Sequence, residues 1–155
     1  MRGKRASKRK IDADLRYNSA TVTRFINYVM LGGKKSTAMK MVYGAIEGAA
    51  KKVKKEPMDM FSVVLNNVKP VLEVRTRRVG GANYQIPMPV SEGRQEVLAL
   101  RWIIGVVRNK KGQDFESLLM TELVNAYKGE GDAIKIKVDT EKMAEANKAF
   151  AHFRW

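Results

Sequence analysis

Few side chains in this sequence could do covalent or acid–base chemistry. Cysteine is absent, which excludes disulfides and thiolate metal sites. His152 is the only histidine, so neither a histidine–carboxylate metal cluster nor an imidazole-based triad finds support, and no cofactor is expected. Glu92 and Glu96 fall on one helix face, as do Glu141 and Glu145, but each pair has Lys or Arg nearby and reads as a solvated face. Lys34 and Lys35, behind Gly32-Gly33, look at first like a phosphate loop. The full pattern fails, because position 28 is Tyr and Lys34 is followed by Lys35 rather than Ser or Thr. What remains is two point charges beside a helix terminus, suited to a phosphate backbone.

Arginine is the residue type that stands out. Arg75 and Arg77 share one face of a two-residue period, and Arg78 falls on the other near a Gly80-Gly81-Ala82-Asn83 turn. Guanidinium forks match phosphates and stack on bases, so arginines clustered on a ribbon suit RNA grooves and loops. Tyr84 adds a stacking surface, and the paired glycines allow close backbone approach. The alternative is an ordinary hairpin with solvated arginines.

The charge balance points the same way. Thirty Lys and Arg against 16 Asp and Glu give +14 and a pI near 10.1. Such a charge opposes compaction unless a polyanion neutralises it. Residues 1–111 carry 24 basic and 8 acidic side chains, whereas residues 112–155 carry 6 and 8, so the polyanion should meet the first two-thirds. Met1 to Lys10 alone holds Arg2, Lys4, Arg5, Lys8, Arg9 and Lys10 with almost nothing apolar. That stretch should be a mobile, RNA-seeking arm, or else a solvated tail. No run of eighteen apolar residues exists to span a membrane, and the basic N-terminus lacks the apolar stretch of a secretory signal; a reducing, cytoplasmic setting follows.

The elements that must position these residues are mainly helices. Val22, Phe25, Ile26 and Val29 predict a helix from Ser19 or Ala20 to Leu31, stopped by Gly32-Gly33. A second runs from about Ser36 to Lys55, with Lys51, Lys52, Lys54 and Lys55 complementing its dipole and open to an RNA contact. Pro57 opens a third, closed by Pro70. Residues 71–90 then alternate as a β-hairpin whose second strand, carrying Pro87 and Pro89, must have an exposed edge. Ser91 should cap a fourth helix to about Arg108, apolar nearly all round and central to the bundle; Asp114 should cap a fifth, ending at Gly129-Glu130-Gly131. Ile134, Ile136 and Val138 alternate like a strand, so residues 133–139 stay ambiguous, and Thr140 to Ala151 keeps helical spacing. His152, Phe153 and Trp155 either dock on the protein's own surface or meet a partner, with the partner favoured. The fold class is therefore mainly α: one domain of residues 1–155, a bundle of about six helices with a protruding two-stranded hairpin and a disordered basic arm over residues 1–15.

Three stretches carry a family resemblance: YNSATVTRFINYVMLGGKK from Tyr17, PVLEVRTRRVGGANYQIPMPV with the following LRW, and KMAEANKAFAHFRW from Lys142. Through them the chain resembles the bacterial-type family of small-subunit ribosomal protein seven. The resemblance implies a helical bundle with an extended hairpin that binds the 3′ major domain of 16S rRNA and nucleates assembly of the subunit head. It implies an RNA-facing surface of arm, first and fourth helices and hairpin: here Arg2 to Lys10, Lys34, Lys35, Arg75, Arg77, Arg78, Arg94, Arg101 and Arg108. It further implies that Gly80, Gly81, Asn83 and Tyr84 lie near exit-site tRNA and the mRNA path. The last helix would face the platform and a neighbouring ribosomal protein, and residues 133–139 would be helical. The sequence departs from the family pattern mainly in its first fifteen residues and around Gly105 to Gln113.

Other classes fit less well. A DNA-compacting protein should bind duplex DNA equally, and an RNA-processing enzyme needs a metal or acid–base site that the sequence does not offer. A membrane-surface protein needs a basic face opposite an apolar one, which the fourth helix lacks. A non-catalytic RNA-binding scaffold, without a small-molecule substrate, is the expectation.

Overall fold

The structure is a computed structural model describing Gly3 and residues 10–153. Six α-helices and a closing 3-10 helix surround one core, with a two-stranded antiparallel hairpin between the third and fourth helices. The elements are α1 (Ala20–Val29), α2 (Lys35–Val53), α3 (Pro57–Val68), β1 (Leu72–Val79), β2 (Ala82–Pro89), α4 (Glu92–Asn109), α5 (Phe115–Tyr127), α6 (Asp132–Ala146) and the 3-10 helix Lys148–Phe153. Among the described residues no helix is long and apolar enough to cross a membrane, and no group of His, Asp or Glu could hold a metal.

The core forms where the apolar stripes meet. Val22, Phe25 and Ile26 of α1 are buried with Val42 and Ile46 of α2, Phe61 and Val64 of α3, Leu100 and Ile103 of α4, and Leu119 and Leu123 of α5. Phe25 and Phe61 stack with ring centroids 5.4 Å apart. The central position is shared: α4 packs against α1, α3, α5 and α6, and α5 against α2, α3, α4 and α6. Gly44 and Gly48 let α5 lie close to α2, since a methyl at Gly44 would strike the Glu116 carboxylate and one at Gly48 would come 2.6 Å from Met120 Sδ.

Element ends differ from the spacing in four places. Helix α1 stops at Val29, two residues early, because Met30 turns extended ahead of Gly32 and Gly33, whose φ of 56° and 74° make the turn into α2. Helix α2 stops at Val53 with Lys54 itself left-handed, so Lys55 falls outside it. Ser91 takes the extended backbone of a cap, but its side chain makes no capping bond; Asp114 does cap α5, accepting from the Ser117 amide at 3.1 Å. At the end of the chain the helix expected over Thr140 to Ala151 gives way at Asn147 to 3-10 geometry.

Residues 133–139 are helical despite their alternation. The Glu122 carboxylate, fully buried, accepts from the Ala133 amide at 2.9 Å and so satisfies a first-turn donor of α6. Glu122 also meets Lys110 at 2.7 Å, and Lys110 reaches Asp132 at 2.9 Å. Burial draws Lys110 down, but its bonds to Glu122 and Asp132 outweigh this and hold it above its ordinary value. This triad ties the acidic last third of the chain to the basic part.

Candidate nucleic-acid interface

The hairpin places the arginines by register. Arg75 lies opposite Ile86, Arg77 opposite Tyr84 and Arg78 opposite Asn83, so Arg75 and Arg77 share a face with Tyr84 and Arg78 does not. Gly80 and Gly81, with φ of 58° and 90°, form the two-residue turn alone, and strand resumes at Ala82. The tip from Gly80 to Asn83 is exposed, whereas the base is not freestanding: α6 packs on both strands and the 3-10 helix packs on β2.

The chain end supplies that 3-10 contact. Tyr84 stacks on Phe150 and Phe153, with centroids 5.1 and 5.5 Å away, so part of its ring is spent inside the molecule. Phe153 thus docks on the protein's own hairpin. His152 is exposed, stacked on Phe153 at 4.0 Å, with Nδ1 2.8 Å from the Ala149 carbonyl oxygen. Trp155 lies outside the described residues.

Helix α4 carries the longest basic feature. Arg94, Arg101 and Arg108 recur every seven residues and are all exposed, a stripe about 21 Å long at 1.5 Å rise per residue. Its two ends are fastened to neighbouring elements. At the N-terminal end Glu73, buried at the hairpin base, bonds both Arg75 (Nε at 2.6 Å) and Arg94 (Nε at 3.3 Å). At the other end Arg108 donates to the Tyr28 and Val29 carbonyls at 3.2 Å, satisfying the last turn of α1. Between them the Arg101 guanidinium lies 5.4 Å from the Tyr28 ring centroid.

These fastenings make one continuous track. It runs from Arg77 and Arg75 on one face of the hairpin, through Arg94, Arg101 and Arg108, to the exposed turn Leu31–Lys35 with Lys34 and Lys35, while Arg78 lies on the other face of the ribbon near its tip. Among the described residues Glu73 pairs with both Arg75 and Arg94, and Glu96 pairs with Arg24 at 2.5 Å. Among the described residues Arg101 and Arg108 have no carboxylate partner, which leaves positive charge on α4 for a polyanion.

The root of the N-terminal arm is held separately. Asp14 is buried and accepts from the Arg16 and Tyr17 amides at 3.0 Å and from the Tyr43 hydroxyl. Burial pushes Asp14 up, but those hydrogen bonds outweigh it and hold the carboxyl below its ordinary value; Tyr43, half-buried beside it, is pushed up to about 12 by desolvation and by its bond to the Asp14 carboxylate. Arg16 bridges to Glu47 at 2.6 Å over the Tyr43 ring. Lys10 is exposed at the start of this segment; Arg2, Lys4, Arg5, Lys8 and Arg9 lie outside the described residues. Spacing alone missed Asp14, Glu73 and Tyr28, each of which also has a distant partner: Tyr43, Arg94 and Arg108 respectively.

Fold and surface together define a class: a basic helical protein with an arginine-lined hairpin and helix, a surface of the kind suited to nucleic acid. Comparison with known proteins makes this specific. Residues 1–148 match the family model described as ribosomal protein S7p/S5e. The chain is 51% identical over 154 residues, 99% of both chains, to small ribosomal subunit protein uS7 of Treponema denticola. It is 52% identical to the uS7 protein of Thermotoga maritima and 53% to that of Kosmotoga olearia, in each case over the full 155 residues. The chain belongs to the S7p/S5e ribosomal protein family. It is a structural ribosomal protein and not an enzyme.

Proposed function

We propose that this protein binds the 3′ major domain of 16S rRNA in the cytoplasmic small ribosomal subunit and nucleates assembly of the head. Its hairpin tip, with Gly80, Gly81, Asn83 and Tyr84, would lie near exit-site tRNA and the mRNA path. The observation that carries the reading is the fastened track from Arg75 to Lys35, which joins hairpin, α4 and the turn after α1 into one basic surface. Phosphate neutralisation along it supplies most of the affinity, and the fixed spacing of hairpin and helix selects a folded RNA junction over an extended strand. The arm from Arg2 to Lys10 adds sequence-independent contacts. The face of α6 and the 3-10 helix, whose four lysines are balanced by four carboxylates, is left for neighbouring proteins of the head and platform, with His152 and Phe153 at its edge.

The test is Arg78→Ala, measured by titration against a transcript of the 3′ major domain. Arg78 is exposed, so affinity should fall several-fold with the thermal midpoint unchanged. Normal affinity in both Arg78→Ala and Arg77→Ala would remove the hairpin from the interface. A photocrosslinker at Asn83 in reconstituted subunits should mark exit-site tRNA or mRNA; marking rRNA alone would withdraw that part.

A further inference from the structure

Gly105 sits inside α4, four residues after Arg101 and three before Arg108, on the same helix face. Glycine in a helix interior costs stability relative to alanine, so an interior glycine calls for a packing reason. Gly44 and Gly48 have one, the close approach of α5. Gly105 has none among the described residues: a methyl built there meets no atom of theirs within 4 Å. It forms the floor of a cleft of about 250 Å³ walled by Tyr28, Arg101, Ile104 and Arg108, with no acidic side chain in the lining.

We infer that Gly105 is the seat of a ribose–phosphate segment of the bound RNA, its phosphates held between Arg101 and Arg108 and its sugar against the bare helix backbone. This rests on the reading that the arginine face of α4 meets rRNA. The occupant follows from charge and shape together. Two arginines whose backbone positions lie about 10.5 Å apart along the helix axis flank a surface with no side chain, and a sugar–phosphate chain offers anions separated by a slender linker. Arg108 is held in place by the α1 carbonyls and Arg101 lies against Tyr28, so both wall groups are ordered before RNA arrives.

A single methyl separates this from a purely structural role, because stability and binding should move in opposite directions. In Gly105→Ala the thermal midpoint should rise by about 2–4 °C, from the gain in helix propensity. Affinity for intact 16S rRNA should fall about ten-fold or more, since an added methylene in a packed contact forces its neighbours apart. No charge is lost, so the salt dependence of binding should keep its slope, whereas Arg101→Ala should make it shallower by about 0.7–0.9. The double variant Gly105→Ala/Arg101→Ala should lose less than the sum of the two single losses. Unchanged affinity in Gly105→Ala would overturn the inference, and so would a lowered thermal midpoint, which would mean that the fold itself needs the glycine. If the wild-type protein binds intact 16S rRNA but not the 3′ major domain fragment, the head-domain reading fails while the Gly105 result stands.

Discussion

Replacing Glu122 with alanine should unfasten the acidic third of the chain, and the size of the effect follows from its surroundings. The side chain is fully buried, accepts from the Ala133 amide at 2.9 Å and pairs with Lys110 at 2.7 Å. Losing the acceptor leaves a buried amide without a partner, which costs about 1–3 kcal/mol. The space vacated adds about 1–2 kcal/mol, because packed interiors close only in part. The ion pair itself adds little more: Lys110 is 32% exposed and keeps Asp132 at 2.9 Å, so no unpaired buried cation is created. The expected loss is about 2–5 kcal/mol, or roughly 1–2.5 M in urea midpoint for a chain of this size. Glu122→Gln, which keeps an acceptor for Ala133, should lose about half as much. Urea unfolding followed by circular dichroism measures both. A midpoint shift in Glu122→Ala below about 0.3 M, with unchanged slope, would refute the fastening and leave the start of α6 to intrinsic propensity.

Other consequences are checked as directly. Arg101→Ala and Arg108→Ala should both weaken rRNA binding, but only Arg108→Ala should also lower the thermal midpoint, since Arg108 bonds the last carbonyls of α1; equal midpoints would contradict that division. Acid should destabilise the fold in a defined window. Lys110 and Lys135 hold Asp132 low, Ser117 holds Asp114 low, and Asp14 is held low by Tyr43 and nearby amides against the opposing pull of burial. Folded values below unfolded ones give stability that is complete above the ordinary aspartate range and lost as pH falls through it. The urea midpoint should therefore stay level from pH 7 to about 5 and drop below about 4, with a smaller drop in Asp14→Asn. Tyr43 has the opposite sign: pushed up to about 12, it contributes stability that is lost as pH rises from its ordinary value of 10.0 towards that value. A spectroscopic titration in which every tyrosine ionises together near its ordinary value would contradict the Asp14–Tyr43 bond.

The sequence disclosed what depends on local period and composition. Val22, Phe25, Ile26 and Val29 marked α1, and the alternation around Gly80-Gly81 marked the hairpin, because helices and ribbons bury residues at fixed local spacings. Where tertiary contacts decide, local period misled: Ile134, Ile136 and Val138 alternate, yet Glu122 and the burial of Ala133 make the segment helical. The candidate interface divides the same way. Its arginines were visible as a type, whereas their union into one track depends on Glu73 joining Arg75 to Arg94 and on Arg108 reaching back eighty residues to Tyr28. Asp14 sat within a stretch read as a disordered arm, because nothing local signals its bond to Tyr43.

The most direct measurement of the central claim is a competition titration across a salt series. It would set the 3′ major domain of 16S rRNA against an unrelated folded RNA and duplex DNA. With about eight phosphate contacts, log K should fall against log salt with a slope of roughly −6 to −7, and the preference for the rRNA domain should persist as salt rises. Equal binding to all three, vanishing together with salt, would contradict shape-specific recognition and leave only the charge explained.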